Sequence, residues 1–268
     1  PDAFTLAEVL ITLGIIGVVA AMTLPSMINK TKNKELHTAF LKTYSELNRI
    51  AQLITANEGV PISGILLGNN NGCGPIPHEK ANKIFRYFKG SSKFLTSGGQ
   101  GTNDGEGNFI PYYDIHTLNG KKYSGGANSS GSNSSFVCDN SGFKSNASGA
   151  LYILNDPPIE GHNGPVICVD INGKKGPNRY GIDYFLFIFT TDGKVLPVGQ
   201  AHKDNPRVCN SSSGSCCNFN NIGAEYCSKT SDNISKNTSC AYYALTNTHP
   251  TEKGKDYWTD FLGEVYSR

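Results

Sequence analysis

The chain has 268 residues, 38% of them hydrophobic and 17% charged, with a formal net charge of +2. A balance this near neutral, with no basic stripe interleaved with aromatics, argues against a nucleic-acid partner, and the length suits one membrane helix plus one or two modest soluble domains. Eight cysteines scattered through polar sequence favour disulfides in an oxidising compartment; the competing reading, a cytosolic zinc protein, would want CxxC units, and the chain has none.

From the N-terminus, Phe4 to Leu24 (FTLAEVLITLGIIGVVAAMTL) is apolar apart from a few threonines and one carboxylate, Glu8. A bilayer core takes about 20 apolar residues in a helix, so the stretch is long enough to span one. An acid inside such a span costs about 2.5–3.5 kcal/mol and calls for a positive partner; a free amine at the same end of the helix is the obvious one. Pro25 follows, where a missing amide donor predicts a kink or local loosening, and then Lys30, Lys32 and Lys34. From Glu35 the pattern becomes one-sided: Leu36, Phe40, Tyr44, Leu47, Ala51 and Ile54 recur every three or four places, the stripe of an amphipathic helix. Asn57, Gly59 and Pro61 are stop signals. The expectation is one helix from about Phe4 to Ala56, roughly 80 Å long.

A short helix is predicted at His78–Lys89 with Ile84, Phe85 and Phe88 as its buried face, and Ser97–Gly107 reads as a glycine-rich loop. Strands are predicted at Phe109–Ile115, Ala150–Leu154, Val166–Ile171, Tyr184–Thr190 and Lys194–Val198, with Asp192-Gly193 turning the last pair. Ser124–Asn146 reads as a long surface loop. Asn205–Lys236 is similar but holds four cysteines, and so polar a segment is ordered by staples rather than by burial. Ala241–Leu245 and Tyr257–Leu262 are expected to pack back on the core.

Cys73, Cys138, Cys168, Cys209, Cys216, Cys217, Cys227 and Cys240 allow 105 pairings; the adjacent pair Cys216–Cys217 is expected to bond elsewhere. Between Asp170 and Asp183, the oxygen donors Asp170, Asn172, Asn178 and Asp183 sit on a Gly/Pro-bent loop of the composition calcium favours. The segment opens like an EF-hand loop but lacks its third acidic position and closing Glu. The preferred alternative is a turn in which Asp and Asn cap their own backbone. No enzyme motif is present: there is no HExxH, no GxSxG and no phosphate-cradling glycine loop, and a non-enzymatic role is expected.

The string FTLAEVLITLGIIGVVAAMTLP resembles the N-terminal segment of type IV pilins and type II secretion pseudopilins, in which a mature N-terminal Phe is followed four residues later by Glu and a Pro closes the apolar half. The matching positions are Phe4, Glu8 and Pro25, and the likeness covers about Ala3 to Ile54. It implies processing by a prepilin peptidase at Ala3–Phe4, although the family usually has Gly before the cut, and N-methylation of Phe4. It also implies assembly on a membrane platform into a helical filament of copies of itself or related pilins. The Phe4 ammonium of one subunit would neutralise Glu8 of its neighbour. Some pseudopilins hold calcium in a loop comparable to Asp170–Asp183; no other cofactor is implied.

The implied fold is α+β: a long N-terminal helix packed on an antiparallel sheet, with a disulfide-tied, loop-rich C-terminal region. Residues 1–3 are expected to be a leader remnant, 4–28 the membrane and filament-core half of the helix, 29–58 its amphipathic half and 59–268 a globular head. Location is expected in the cytoplasmic membrane before assembly, then in an extracellular or periplasmic filament. Lys30–Lys34 run against the tendency of cations to stay cytoplasmic, so the leader is expected to carry opposing basic residues. The alternative is a surface adhesin that uses the pilin stalk as a mount and binds glycans through its Asn/Ser/Gly loops and Tyr112, Tyr113, Tyr242 and Tyr243.

Overall fold

The computed structural model describes residues 5–67, 76–88, 101–103, 109–111, 115–123, 143–145, 149–155, 158, 161–200 and 223–266. Helix α1 spans Leu6–Glu58, 53 residues, and runs without interruption through Pro25. Gly59 ends it at φ 74°, a left-handed conformation that favours glycine, and donates its N–H to the Thr55 carbonyl at 3.0 Å. A short helix α2 (Ile62–Ile65), absent from the sequence expectation, follows Pro61. Helix α3 (His78–Phe85) stops short of the expected Lys89, because Tyr87 and Phe88 donate to Ile84 and Phe85, three residues back, and tighten the last turn. Ile84, Phe85 and Phe88 are its buried face, as the pattern predicts. Glu58 ties α3 to the end of α1 through Lys83 at 2.6 Å, Arg86, and the Tyr87 hydroxyl at 2.8 Å.

Among the described residues, nine strands follow. β1 (Gly101–Asn103) pairs with β2 (Phe109–Pro111), and β3 (Ile115–His116) with β4 (Lys122–Tyr123). The expected strand Phe109–Ile115 is therefore two strands in two different ribbons, and β1 lies in a stretch expected to be loop. The main sheet is antiparallel in sequence order: β5 (Phe143–Ser145), β6 (Leu151–Asn155), β7 (Val166–Asp170), β8 (Tyr184–Phe189) and β9 (Val195–Pro197). β5 also lies in an expected loop; it borrows its order from pairing with β6. The other four fall where predicted, within one residue or so at each end. The turn around Asp192-Gly193 is closed by Thr190 N–H to the Lys194 carbonyl at 2.9 Å, with Gly193 at φ 79° as its left-handed residue.

The sheet is buried on both faces. Tyr152, Leu154, Ile167, Val169, Phe185, Phe187 and Phe189 point to α1, and the alternate residues Leu151, Ile153, Val166, Cys168, Tyr184, Leu186 and Ile188 pack under Ile115, Tyr180 and Ile234. This two-sided burial is why the strands read as unbroken apolar runs such as YFLFIF. Phe40 of α1 sits at the centre of the first layer, 4.7 Å from Phe185 and 5.5 Å from Phe187 by ring centroids. The outer edge of the sheet is covered too: Tyr44 donates its hydroxyl to the Val195 carbonyl at 3.1 Å, and the Val195 N–H donates to Asn48 Oδ1 at 3.4 Å.

The C-terminal part closes the core with α4 (Cys240–Thr246), a π-helical turn Tyr257–Phe261 and α5 (Leu262–Tyr266). Trp258 is buried against α1: its ring stacks on His37 at 5.0 Å, and its carbonyl accepts from Asn33 Nδ2 at 2.7 Å.

Candidate functional site

The first half of α1 is apolar on every side, and none of the described residues covers it. Leu10, Ile11, Leu13, Ile15 and Ile16 point in different directions around the axis, yet each is 60–63% exposed, whereas Phe40, Leu47, Ile50 and Ile54 farther along are fully buried. This is a helix long and apolar enough to cross a membrane, by length and composition. Its hydroxyls are turned inward on the helix: Thr12 donates to the Val9 carbonyl and Thr23 to the Val19 carbonyl, both at 2.9 Å. Among the described residues, no atom beyond the helix's own backbone lies within 4 Å of a side chain added at Gly14 or Gly17.

Glu8 is the one charge in the described part of this surface. Its Oε2 accepts from both the Thr5 backbone N–H and the Thr5 hydroxyl at 2.8 Å, and its own N–H donates to Thr5 Oγ1 at 3.3 Å. The pair is a reciprocal capping box on the first turn. These bonds satisfy donors but leave the negative charge without a counter-ion from Thr5. The T-x-x-E spacing was available in the sequence, and Thr5 is the site residue that an emphasis on Glu8 and Phe4 overlooks. Ala3 and Phe4 lie outside the described residues.

The four residues of the Asp170–Asp183 segment come together in the β7–β8 connection. Both Asp183 oxygens accept backbone N–H groups, from Arg179 at 2.7 Å and Asn178 at 2.9 Å. Asp170 Oδ1 accepts from the Asn172 N–H and Asn178 Oδ1 from the Gly176 N–H, while Asn172 Nδ2 donates to the Gly176 carbonyl. Asn178 sits at φ 52°, which asparagine tolerates. Burial pushes the Asp183 carboxyl up to about 6, against the two backbone N–H bonds that favour its charged form. Calcium takes six to eight oxygens. Asp170 Oδ1, Asn178 Oδ1 and both Asp183 oxygens accept N–H groups of their own loop, as in an internally capped turn, whereas the buried Asn172 Oδ1 accepts no hydrogen bond among the described residues.

Another cluster, not singled out in the sequence, joins His249, Glu252 and Glu264, whose ligand atoms lie within 4.8 Å of one another. His249 Nε2 is 3.7 Å from Glu252 and 3.6 Å from Glu264. The other ring nitrogen decides its chemistry: Nδ1 accepts the N–H groups of Thr251 at 3.1 Å and Glu252 at 3.0 Å. A neutral ring then carries its proton on Nε2, the atom a metal would need bare. Metal-ligating histidines do the opposite and donate their second nitrogen. Lys229 and Lys255 also neutralise the same carboxylates. The cluster fits an ion network that fastens α5 to the preceding loop.

Of the eight cysteines, Cys227 and Cys240 form a disulfide, and Cys168 is disulfide-bonded as well. The Cys227–Cys240 bridge packs on Gly181, where a Cβ would meet Cys240 Sγ at 2.9 Å. Cys73, Cys138, Cys209, Cys216 and Cys217 lie outside the described residues, as do Tyr112 and Tyr113.

Comparison with known proteins finds no family model, no curated protein and no solved structure that matches this chain.

Proposed function

We propose that the protein is a structural subunit of a filament of the type IV pilin or type II pseudopilin kind. It rests in a membrane by the first half of α1 and later packs that half against copies of itself. The observation that carries this reading is the all-round apolar surface of Leu6–Met27 with a single carboxylate at its start. A plain anchor gains nothing from Glu8 and loses insertion energy to it, up to about 2.5–3.5 kcal/mol for a charge at the bilayer centre and less toward the edge. In a bundle of identical helices the same carboxylate meets the N-terminal amine of a neighbour and fixes the register between subunits. The contact is heterologous, one end of a helix against a different part of the next copy, and such contacts propagate into filaments.

The head supports the reading by its construction. The second half of α1 is an integral part of its core, so a force or displacement on the apolar half passes to the head through one continuous helix.

Electron microscopy of the assembled protein tests the proposal, with two substitutions that separate charge from capping. Glu8→Gln keeps an acceptor for the Thr5 N–H and hydroxyl but removes the charge; Glu8→Ala removes both. Both variants are expected to remain membrane-inserted and to lose most polymer. Filaments of normal abundance in Glu8→Gln would refute the charge pairing, and no filament from the wild-type chain would refute the function.

A further inference from the structure

We infer that Lys30, Lys32 and Lys34, with the groove beside them on α1, form a seat for the headgroup of an anionic phospholipid. The inference rests on the membrane half of the proposed function and not on the filament half.

The first argument is one of length. Lys30 and Lys34 lie 24 and 28 residues beyond Leu6, or about 36 and 42 Å along a helix, and a bilayer with its headgroups is about 40–45 Å thick. Measured from the hydrocarbon edge at Leu6, the far headgroup layer lies about 30–38 Å away, so Lys30 reaches it directly and Lys32 and Lys34 reach it as the helix tilts. The second argument is the shape of the surface. Met27, Ile28, Thr31, Lys32 and Glu35 line an open groove of about 320 Å³. Its floor continues the apolar span, with Met27 65% and Ile28 62% exposed. The Thr31 hydroxyl is turned to the Met27 carbonyl at 3.0 Å. An acyl-glycerol backbone suits that floor, and a phosphate suits its cationic rim.

The third argument is charge. Lys30 and Lys34 are exposed, Lys32 is half-buried, and none of the three is in an ion pair among the described residues. Among the described residues, Glu35 lines the same groove and Asp183 feels the Lys32 charge. The local excess is still positive, and a lysine at such a surface attracts anionic lipid about fivefold each. The adjoining head surface is tied to this part of α1: Asn33 donates to the Trp258 carbonyl and His37 stacks on its ring.

Trp258, the single tryptophan, supplies the reporter at this end of the head. The full chain is reconstituted in phosphatidylcholine vesicles containing a trace of acyl-chain dansyl phosphatidylglycerol or dansyl phosphatidylcholine, and tryptophan-to-dansyl transfer is compared. Transfer is expected to be higher to phosphatidylglycerol at low salt and to fall as salt shortens the screening length. Each Lys→Gln substitution should lower the relative affinity about fivefold, and the triple Lys→Arg variant should keep the preference. Equal transfer to the two lipids, or a preference unchanged in K30Q/K32Q/K34Q, overturns the inference alone. A chain that does not float with the vesicles overturns both the inference and the membrane reading beneath it.

Discussion

Phe40→Ala tests whether the second half of α1 belongs to the head. The ring is fully buried, and it touches three aromatics from two distant parts of the chain: Phe185 and Phe187 of β8 and Trp258 of the π-helical turn, at centroid distances of 4.7, 5.5 and 5.6 Å. Truncating a buried Phe costs about 3–5 kcal/mol through lost transfer energy and the cavity left behind. The upper part of that range is expected, because edge-to-face packing on Phe185 is lost as well. For a protein of this size about 2–4 °C of melting temperature goes with each kcal/mol, so the midpoint should fall about 6–20 °C. Unfolding of the full chain in detergent, followed by Trp258 fluorescence, reads the change at a ring in direct contact with the deletion. Leu53→Ala is the control: Leu53 lies on the same helix but is 40% exposed, and its truncation should cost well under about 2 kcal/mol. Equal costs for the two variants would refute the docking of α1 on the sheet, and with it the mechanical link between the apolar half and the head.

Removing the Cys227–Cys240 bridge as the double alanine variant should destabilise the head by about 3 kcal/mol, the value for a loop of this length; the midpoint of a denaturant titration reads it. Acid should also destabilise the head through His249. Burial is the main cause that lowers its pKa, and a protonated Nδ1 would face two N–H donors. Glu252 and Asp260 pull the other way, while Lys229 and Lys255 add to the lowering. A histidine lowered in the folded state contributes stability above about pH 6.5 that is lost as pH falls below it. Asp183, raised to about 6, has the opposite slope, so the His249 effect is read as the difference in pH dependence between wild type and His249→Gln. Identical curves would refute it. EDTA should leave the melting temperature unchanged, since the Asp170–Asp183 loop is capped from within; a fall reversed by calcium would show that a cation holds it.

What was legible in the chain divides along a physical line. Side-chain periodicity revealed α1, where Leu36, Phe40, Leu47 and Ile54 must face one way. The inner strands were equally plain, because a sheet buried on both faces needs apolar residues at successive positions, as in VICV before Asp170 and in YFLFIF. The strands outside the expected ones, Gly101–Asn103, Lys122–Tyr123 and Phe143–Ser145, are two or three residues long and exist through the backbone of a partner. No local pattern announces a partner. The π-helical turn escaped for a related reason: Asp256 caps it by accepting from Thr259 and Asp260, which reads as an ordinary helix start. The link from Asn33 to Trp258 crosses 225 residues and has no sequence signal. At the candidate site the apolar run and Glu8 were plain, while Thr5 was readable from its spacing and passed over.

The energetic asymmetry along α1 explains why the apolar half needs an environment other than water. Twelve large apolar side chains from Leu6 to Met27 stand exposed on this one helix. At about 1.5–3 kcal/mol for each on full burial, the gross gain waiting there is about 20–40 kcal/mol, more than the 5–15 kcal/mol that holds a typical domain together. Lipid tails and a bundle of identical helices cover that surface about equally well, so hydrophobicity alone does not choose between them. The carboxylate does. In lipid, the donors that Glu8 has among the described residues are the neutral groups of Thr5; in the proposed bundle it would gain an ammonium. On the proposed function, the free energy that would move a subunit from membrane to filament resides less in the long apolar surface than in an ionic contact at its first turn, which is why one side chain among so many is expected to control assembly.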